Sequence, residues 1–215
     1  MNLPNKLTIF RIILVPVMML VSIFDFLYGI TGTFLQIPIS FWIINIIFII
    51  ASITDKLDGY IARSRNQVTT FGKFADPLAD KILVLSALMI LVEYGKIPSW
   101  IPIIVLAREF IVSGYRLIAV EKGGKVIAAS IWGKIKTVTQ MIAIIACFLD
   151  KFNFGQFLFR VSTQEALYLN SAGIYMNTLQ YGINIISTVM LIISVIATIF
   201  SGWDYLKGGK ELLKD

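Results

Sequence analysis

Histidine is missing from this chain altogether. Imidazole acid–base catalysis, Ser-His-Asp triads and His-ligated zinc go with it. Cysteine is nearly missing too. Cys147 stands alone in "MIAIIACFLD", so no intrachain disulfide can form, and a small packing residue is expected there. Charge is scarce: Asp, Glu, Lys and Arg make up 15% of the 215 residues, against 57% apolar residues. A soluble domain of this length carries roughly 25% charged residues. No internal repeat, low-complexity tract or second polar domain interrupts the chain. Any catalysis must therefore run on carboxylates, lysines, hydroxyls or metals bound by oxygen.

What the sequence does have is apolar runs, several near the ~20 residues that carry a helix across a bilayer. Six spans are predicted, near 9–28, 38–62, 73–93, 98–120, 131–149 and 178–204. Polar turns such as "SRNQVTT", "EYGKIPSW" and "EKGGK" separate them, with a longer stretch at 150–177. The expected class is an all-α polytopic membrane protein, with residues 1–215 as one domain. "MNLPNKLTIFR" has no small-residue cleavage site behind it, so no cleavable leader is expected. In this topology 16 of the 19 Lys and Arg residues fall on one side, leaving Lys96, Lys151 and Arg160 on the other. Both termini are then expected in the cytoplasm of a cell in whose plasma membrane the chain is embedded. The net charge of +6 suits anionic lipid headgroups, and topology alone accounts for most of the basic residues. No nucleic-acid partner is expected.

One segment does not fit a purely structural helix bundle. "DKLDGYIARSRNQVTTFGKFADPLAD" places four of the chain's 13 acidic residues within a short stretch between apolar runs. On a helix, Asp55, Asp58, Gly59 and Ala62 fall at i, i+3, i+4 and i+7, which is one face, with Arg63 at its margin. Gly72, Asp76 and Asp80 repeat every four residues at the start of the next helix, and Pro77 suits a helix's first turn. The polar loop between lets the two faces meet. A carboxylate at membrane depth costs about 2.5–3.5 kcal/mol, and repulsion adds to that. Divalent cations relieve both costs. Oxygen ligands select hard ions, Mg²⁺ or Mn²⁺, with Ca²⁺ a further candidate, and two such ions about 3.5–4 Å apart would form a clamp for phosphate chemistry. Gly59, Ala62 and Gly72 let a ligand come close to the backbone, and Arg63 offers a forked donor to a phosphate. These parts point to a ligand that contains a pyrophosphate, held at the membrane surface.

The same segment resembles the signature of the CDP-alcohol phosphotransferases, DGxxAR flanked by three further aspartates, and departs from it at no position. Enzymes of that family move a phosphatidyl group from a CDP-linked lipid to an alcohol and release CMP. The resemblance covers essentially the whole chain. It implies that Asp55, Asp58 and Asp76 bind metal, and that Asp80 is the general base and also touches a second metal. Gly59, Ala62, Arg63, Thr69 and Gly72 would lie on the CDP-lipid. "LPNKLTIFR" is similar to the family's N-terminal segment, which would bring Asn5 and Thr8 to the nucleotide.

A second region, Arg108 to Met141, looks like the phosphatidylglycerophosphate synthases, whose acceptor is sn-glycerol 3-phosphate. Arg108 and Arg116 share one face of the fourth helix, and Lys134 and Lys136 begin the fifth. Together they would hold the acceptor phosphate, although basic residues that only set topology would look the same. Glu109 is expected as a buried partner of one of the arginines. The resemblance further implies homodimers. Three alternatives stay open: another acceptor (inositol phosphate, serine or phosphatidylglycerol), an ion or lipid transporter, and a non-catalytic lipid-binding protein.

Overall fold

The computed structural model describes residues 2–29, 32–35, 37–64, 69–121, 131–160 and 178–208. The side chains of Lys56, Asp58, Tyr60, Ala62, Arg63, Lys73, Val120, Arg160 and Thr178 lie outside that description. Six long helices carry the fold: α1 (Leu3–Tyr28), α2 (Ile39–Ser64), α3 (Thr70–Glu93), α4 (Trp100–Glu121), α5 (Ile131–Leu149) and α6 (Thr178–Gly208). They stand where the apolar runs predict them. Two smaller elements were not expected. A two-stranded antiparallel ribbon, β1 (Thr33–Phe34) with β2 (Ile37–Pro38), joins α1 to α2, and a π-helical turn spans Gln156–Arg160.

Local chemistry sets the helix ends. Pro4 sits in the first turn of α1, where its missing N–H costs nothing. Gly29, at φ +61°, ends that helix with its N–H donating to the Asp25 carbonyl. Thr69 caps α3, its Oγ1 accepting from the Gly72 N–H at 3.0 Å. Because α3 begins at Thr70, Pro77 lies about two turns inside it rather than in its first turn, where it removes one intrahelical hydrogen bond.

Three helices, α1, α5 and α6, are both long and apolar enough to cross a membrane. The other three are long enough, at 22 to 26 residues, but carry the aspartates and arginines of the predicted site. Large apolar side chains such as Ile13, Phe24, Ile46, Met89 and Ile199 lie exposed on the helices, as lipid-facing surfaces require.

The chain divides into two compact units, Met1–Lys96 with Phe148–Lys151 and Ile97–Cys147 with Phe152–Asp215. In the first unit, α1 buries one stripe, Pro4, Thr8, Arg11, Val15, Met18 and Ser22, at three- to four-residue spacing. It packs against α2 and α3. Ala51 on α2 and Ala75, Ala79 and Ala87 on α3 are fully or almost fully buried, and small buried side chains allow close helix approach. The helices α1 and α3 run parallel. Asn5 meets Thr69 and Thr8 meets Asp76 at their starts, while Ser22 meets Glu93 and Asp25 meets Tyr94 at their ends. Burial, with the hydrogen bond to Asp25, pushes the Tyr94 phenol well above its usual range. In the second unit α4 packs on α6, and the π-helical turn also packs on α6, where Thr188 accepts from the Gly155 N–H at 3.1 Å.

Candidate active site

The starts of α1 and α3 and the end of α2 come together in the first unit. Three α1 side chains, at three-residue steps, reach three points on the other two helices. Asn5 Oδ1 accepts from the Thr69 hydroxyl at 2.8 Å, and that hydroxyl in turn accepts from the Gly72 N–H. Thr8 Oγ1 donates to Asp76 Oδ1 at 2.5 Å. Arg11 Nη1 lies 2.6 Å from Asp55 Oδ1, with the guanidinium side chain wholly buried and the carboxylate one-third exposed. The predicted residues Asn5, Thr8, Asp55, Thr69, Gly72 and Asp76 are thus linked by direct contacts or through α1. Asp80 stands one turn beyond Asp76 on α3, half-buried. Gly59 is half-buried on α2. The backbones of Asp58, Ala62 and Arg63 belong to α2, but their side chains lie outside the described residues.

Gly72 marks a small cradle. A Cβ built there would lie 3.3 Å from Asn5 Oδ1, 3.3 Å from Thr69 Oγ1 and 3.6 Å from Asp76 Oδ2. Three oxygens thus converge where a side chain would otherwise stand. Oxygen donors alone, with one carboxylate among them, fit a hard cation or a ligand carried by one. Among the described residues, no three Asp, Glu, His or Cys side chains group closely enough to form a metal site on their own.

The predicted phosphate-binding cations lie in the second unit. Arg108 donates from Nε and Nη2 to Ser201 Oγ, at 3.2 and 2.6 Å, and from Nη1 to Glu109 Oε1 at 2.8 Å. Lys136 Nζ reaches the same Glu109 oxygen at 2.7 Å. Glu109, expected to partner one arginine, therefore bridges an arginine and a lysine. Arg116 Nη2 donates to the Tyr205 hydroxyl at 3.0 Å. The Tyr205 ring lies under both arginines, 5.9 Å from the Arg108 guanidinium and 5.8 Å from that of Arg116. Lys134 is exposed, while Lys136 two positions on is buried. Gly133 makes room, since a Cβ there would lie 3.4 Å from Arg108 Nη2.

A sequence profile of the CDP-alcohol phosphatidyltransferase family matches residues 1–200. The chain belongs to this family. Three relatives carry the name CDP-diacylglycerol--glycerol-3-phosphate 3-phosphatidyltransferase. The one from Bacillus subtilis (strain 168) is 39% identical over 214 residues, covering 99% of this chain and 97% of the relative. That from Haemophilus influenzae is 37% identical over 218 residues, 100% of this chain and 96% of the relative. That from Rickettsia bellii is 33% identical over 211 residues, 98% of this chain and 96% of the relative.

For this CDP-alcohol phosphatidyltransferase, the sequence reading missed Arg11, Ser201 and Tyr205. Arg11 was counted only as a basic residue at a membrane face. Its step of three from Thr8 put it on the same stripe, and that was a readable signal. Ser201 and Tyr205 are four apart on α6, but nothing in a single sequence pairs them with arginines some 90 residues away.

Proposed function

We propose that this chain is an enzyme of phospholipid biosynthesis that transfers the phosphatidyl group of CDP-diacylglycerol to sn-glycerol 3-phosphate. The products are phosphatidylglycerophosphate and CMP. The observation that carries the choice of acceptor is the match, over almost the whole of both chains, to relatives bearing that one enzyme name. The gathering of Asp55 and Asp76 around the start of α1 supports it.

Asp80 accepts the proton of the acceptor's 1-hydroxyl. The oxygen so exposed forms a bond to the β-phosphorus of the CDP-lipid, and the bond from that phosphorus to CMP breaks. Asp55, Asp58, Asp76 and Asp80 are the residues that would hold a divalent cation, Mg²⁺ or Mn²⁺, in a pair of sites. Such ions, when bound, offset the negative charge of the pyrophosphate and of departing CMP. Gly59, Ala62 and Gly72 give the nucleotide access to the backbone, and Arg63 donates to its phosphates. Thr69, Asn5 and Thr8 set the polar floor beneath it. Arg108, Arg116, Lys134 and Lys136 bind the acceptor's phosphate. All six helices cross the membrane, both termini are cytoplasmic, and the acyl chains stay in the bilayer. Cysteines placed at Ser64 and Lys96, with Cys147 replaced, should label from opposite sides.

CMP release by the purified protein in mixed micelles of CDP-diacylglycerol with Mg²⁺ tests the reading. Release should depend on glycerol 3-phosphate and be left unchanged by serine, inositol phosphate or phosphatidylglycerol as competitors. Release driven by one of those acceptors would move the enzyme elsewhere in the family. Ion flux in liposomes without CDP-lipid, and no CMP release, would point to a transporter.

A further inference from the structure

Arg11 is the most completely buried charged side chain among the described residues, and it lies against a carboxylate of the aspartate segment, that of Asp55. Burying a guanidinium costs several kcal/mol unless a close partner repays it. A residue needed only to mark a membrane face would point its charge to water. Instead, Arg11 lies on the inward stripe of α1, three residues beyond Thr8, which in turn holds Asp76. Each of the two contacts engages Oδ1 of its aspartate. Each therefore restrains one oxygen of a carboxyl group. The same helix also ties the cap of α3 through Asn5 and Thr69.

We propose that α1 is the positioning element of the active site. In this role Arg11 orients Asp55, and Thr8 orients Asp76, toward the divalent cation and pyrophosphate. Neither side chain acts on substrate for this purpose. Both are positioning residues that work through the aspartates. The inference rests on the function proposed above and adds two things to it: a role for Arg11, and a second role for Thr8 besides contact with the nucleotide.

The orienting role and a purely electrostatic one predict opposite signs. If Arg11 only adds positive charge beside the aspartates, its removal should strengthen cation binding, and Arg11→Lys should change nothing. If the buried guanidinium's contact orients Asp55, both Arg11→Lys and Arg11→Gln should weaken cation binding, with the lysine variant, which keeps the charge but not the guanidinium's shape and reach, between wild type and the glutamine variant. Loss of a residue that orients a metal ligand typically costs about 10–100-fold in metal affinity.

The experiment titrates the full-length, detergent-solubilised protein with Mn²⁺ alone and follows loss of the free Mn²⁺ paramagnetic resonance signal. Thermal unfolding and CMP release are measured on the same samples. The expected result is Mn²⁺ affinity about tenfold or more weaker in Arg11→Gln, and a smaller loss in Arg11→Lys. Thr8→Val keeps the side chain's size and removes only the hydroxyl, so it provides a variant that should fold. It too should bind Mn²⁺ about tenfold more weakly, while its unfolding midpoint stays near that of wild type. Unchanged or tighter Mn²⁺ binding per folded molecule in Arg11→Gln and Thr8→Val would overturn the proposal, even if the proteins were less stable. Wild-type protein that releases CMP while the variants bind Mn²⁺ normally isolates the failure to the positioning role. Wild-type protein that neither binds Mn²⁺ nor releases CMP would overturn the functional reading, and this inference with it.

Discussion

At the start of α1, three side chains each tie a different group: Asn5 holds Thr69, Thr8 holds Asp76 and Arg11 holds Asp55. In the other unit one side chain, Glu109, ties two cations at once, and one ring, Tyr205, lies beneath two arginines. The first arrangement gives Asp55 and Asp76 each an anchor of its own. That would suit groups whose individual orientation matters, as the proposed metal ligands' does. The second shares its counter-charge. A shared carboxylate neutralises the two cations together, and under the proposed function an incoming phosphate would compete with it for the same donors. Under the proposed function, one region would hold geometry and the other would exchange partners.

The comparison is broken most severely by neutralising the proposed base. Asp80→Asn should lower turnover about 10²–10⁴-fold while leaving CDP-diacylglycerol affinity near normal in Mg²⁺. Asp76→Asn should also lose turnover, but excess metal should restore part of it, because an amide oxygen is a weaker, neutral ligand. Turnover and lipid binding across a metal titration of both proteins check this. Rescue of Asp80→Asn by metal would make Asp80 chiefly a ligand.

A smaller effect is expected where charge is shared. Glu109→Gln leaves the partly buried Arg108 and Lys136 without their common carboxylate. The loss should be about 3 kcal/mol of stability, read as a lower unfolding midpoint. Added inorganic phosphate should recover part of it by supplying the missing anion. A midpoint unmoved by the substitution would mean that Glu109 is solvated and shares nothing.

The smallest effect belongs to the helix cap. Thr69→Ala removes the oxygen that accepts from the Gly72 N–H and the donor that meets Asn5. It should cost about 1 kcal/mol, with turnover changed only a few-fold. A loss of turnover as large as that of Asp80→Asn would place Thr69 in the chemistry itself.

The helices were legible because apolar runs of about bilayer length leave few alternatives. The starts of α2, α5 and α6 fall within a residue of the predicted spans, and α1 begins six residues before its apolar run because Pro4 and its neighbours open the helix. The ribbon at Thr33–Pro38 was not legible. Its strands are two residues long, and its turn runs through Leu35 at φ +55° with no glycine there to mark it. The spacing of Asp55, Asp76 and Asp80 announced the candidate site, because carboxylates between apolar runs need a reason. What holds them was harder to read. The ion pair of Arg11 with Asp55 and the hydrogen bond from Thr8 to Asp76 join residues 44 and 68 positions apart, and helical periodicity speaks only within one helix. Lys134 and Lys136 show the same limit, since a spacing of two turns one lysine outward and the other toward Glu109.

The division of labour between the two regions is tested most directly by steady-state kinetics of Arg116→Ala, with Lys134→Ala beside it and both substrates varied. A charge-assisted hydrogen bond to a phosphate contributes about 1.5–3 kcal/mol, or roughly 10–100-fold. The account predicts a rise of about that size in the apparent KM for glycerol 3-phosphate. The KM for CDP-diacylglycerol and the turnover at saturation should change far less. Equal rises for both substrates, or a fall in turnover like that of Asp80→Asn, would contradict it.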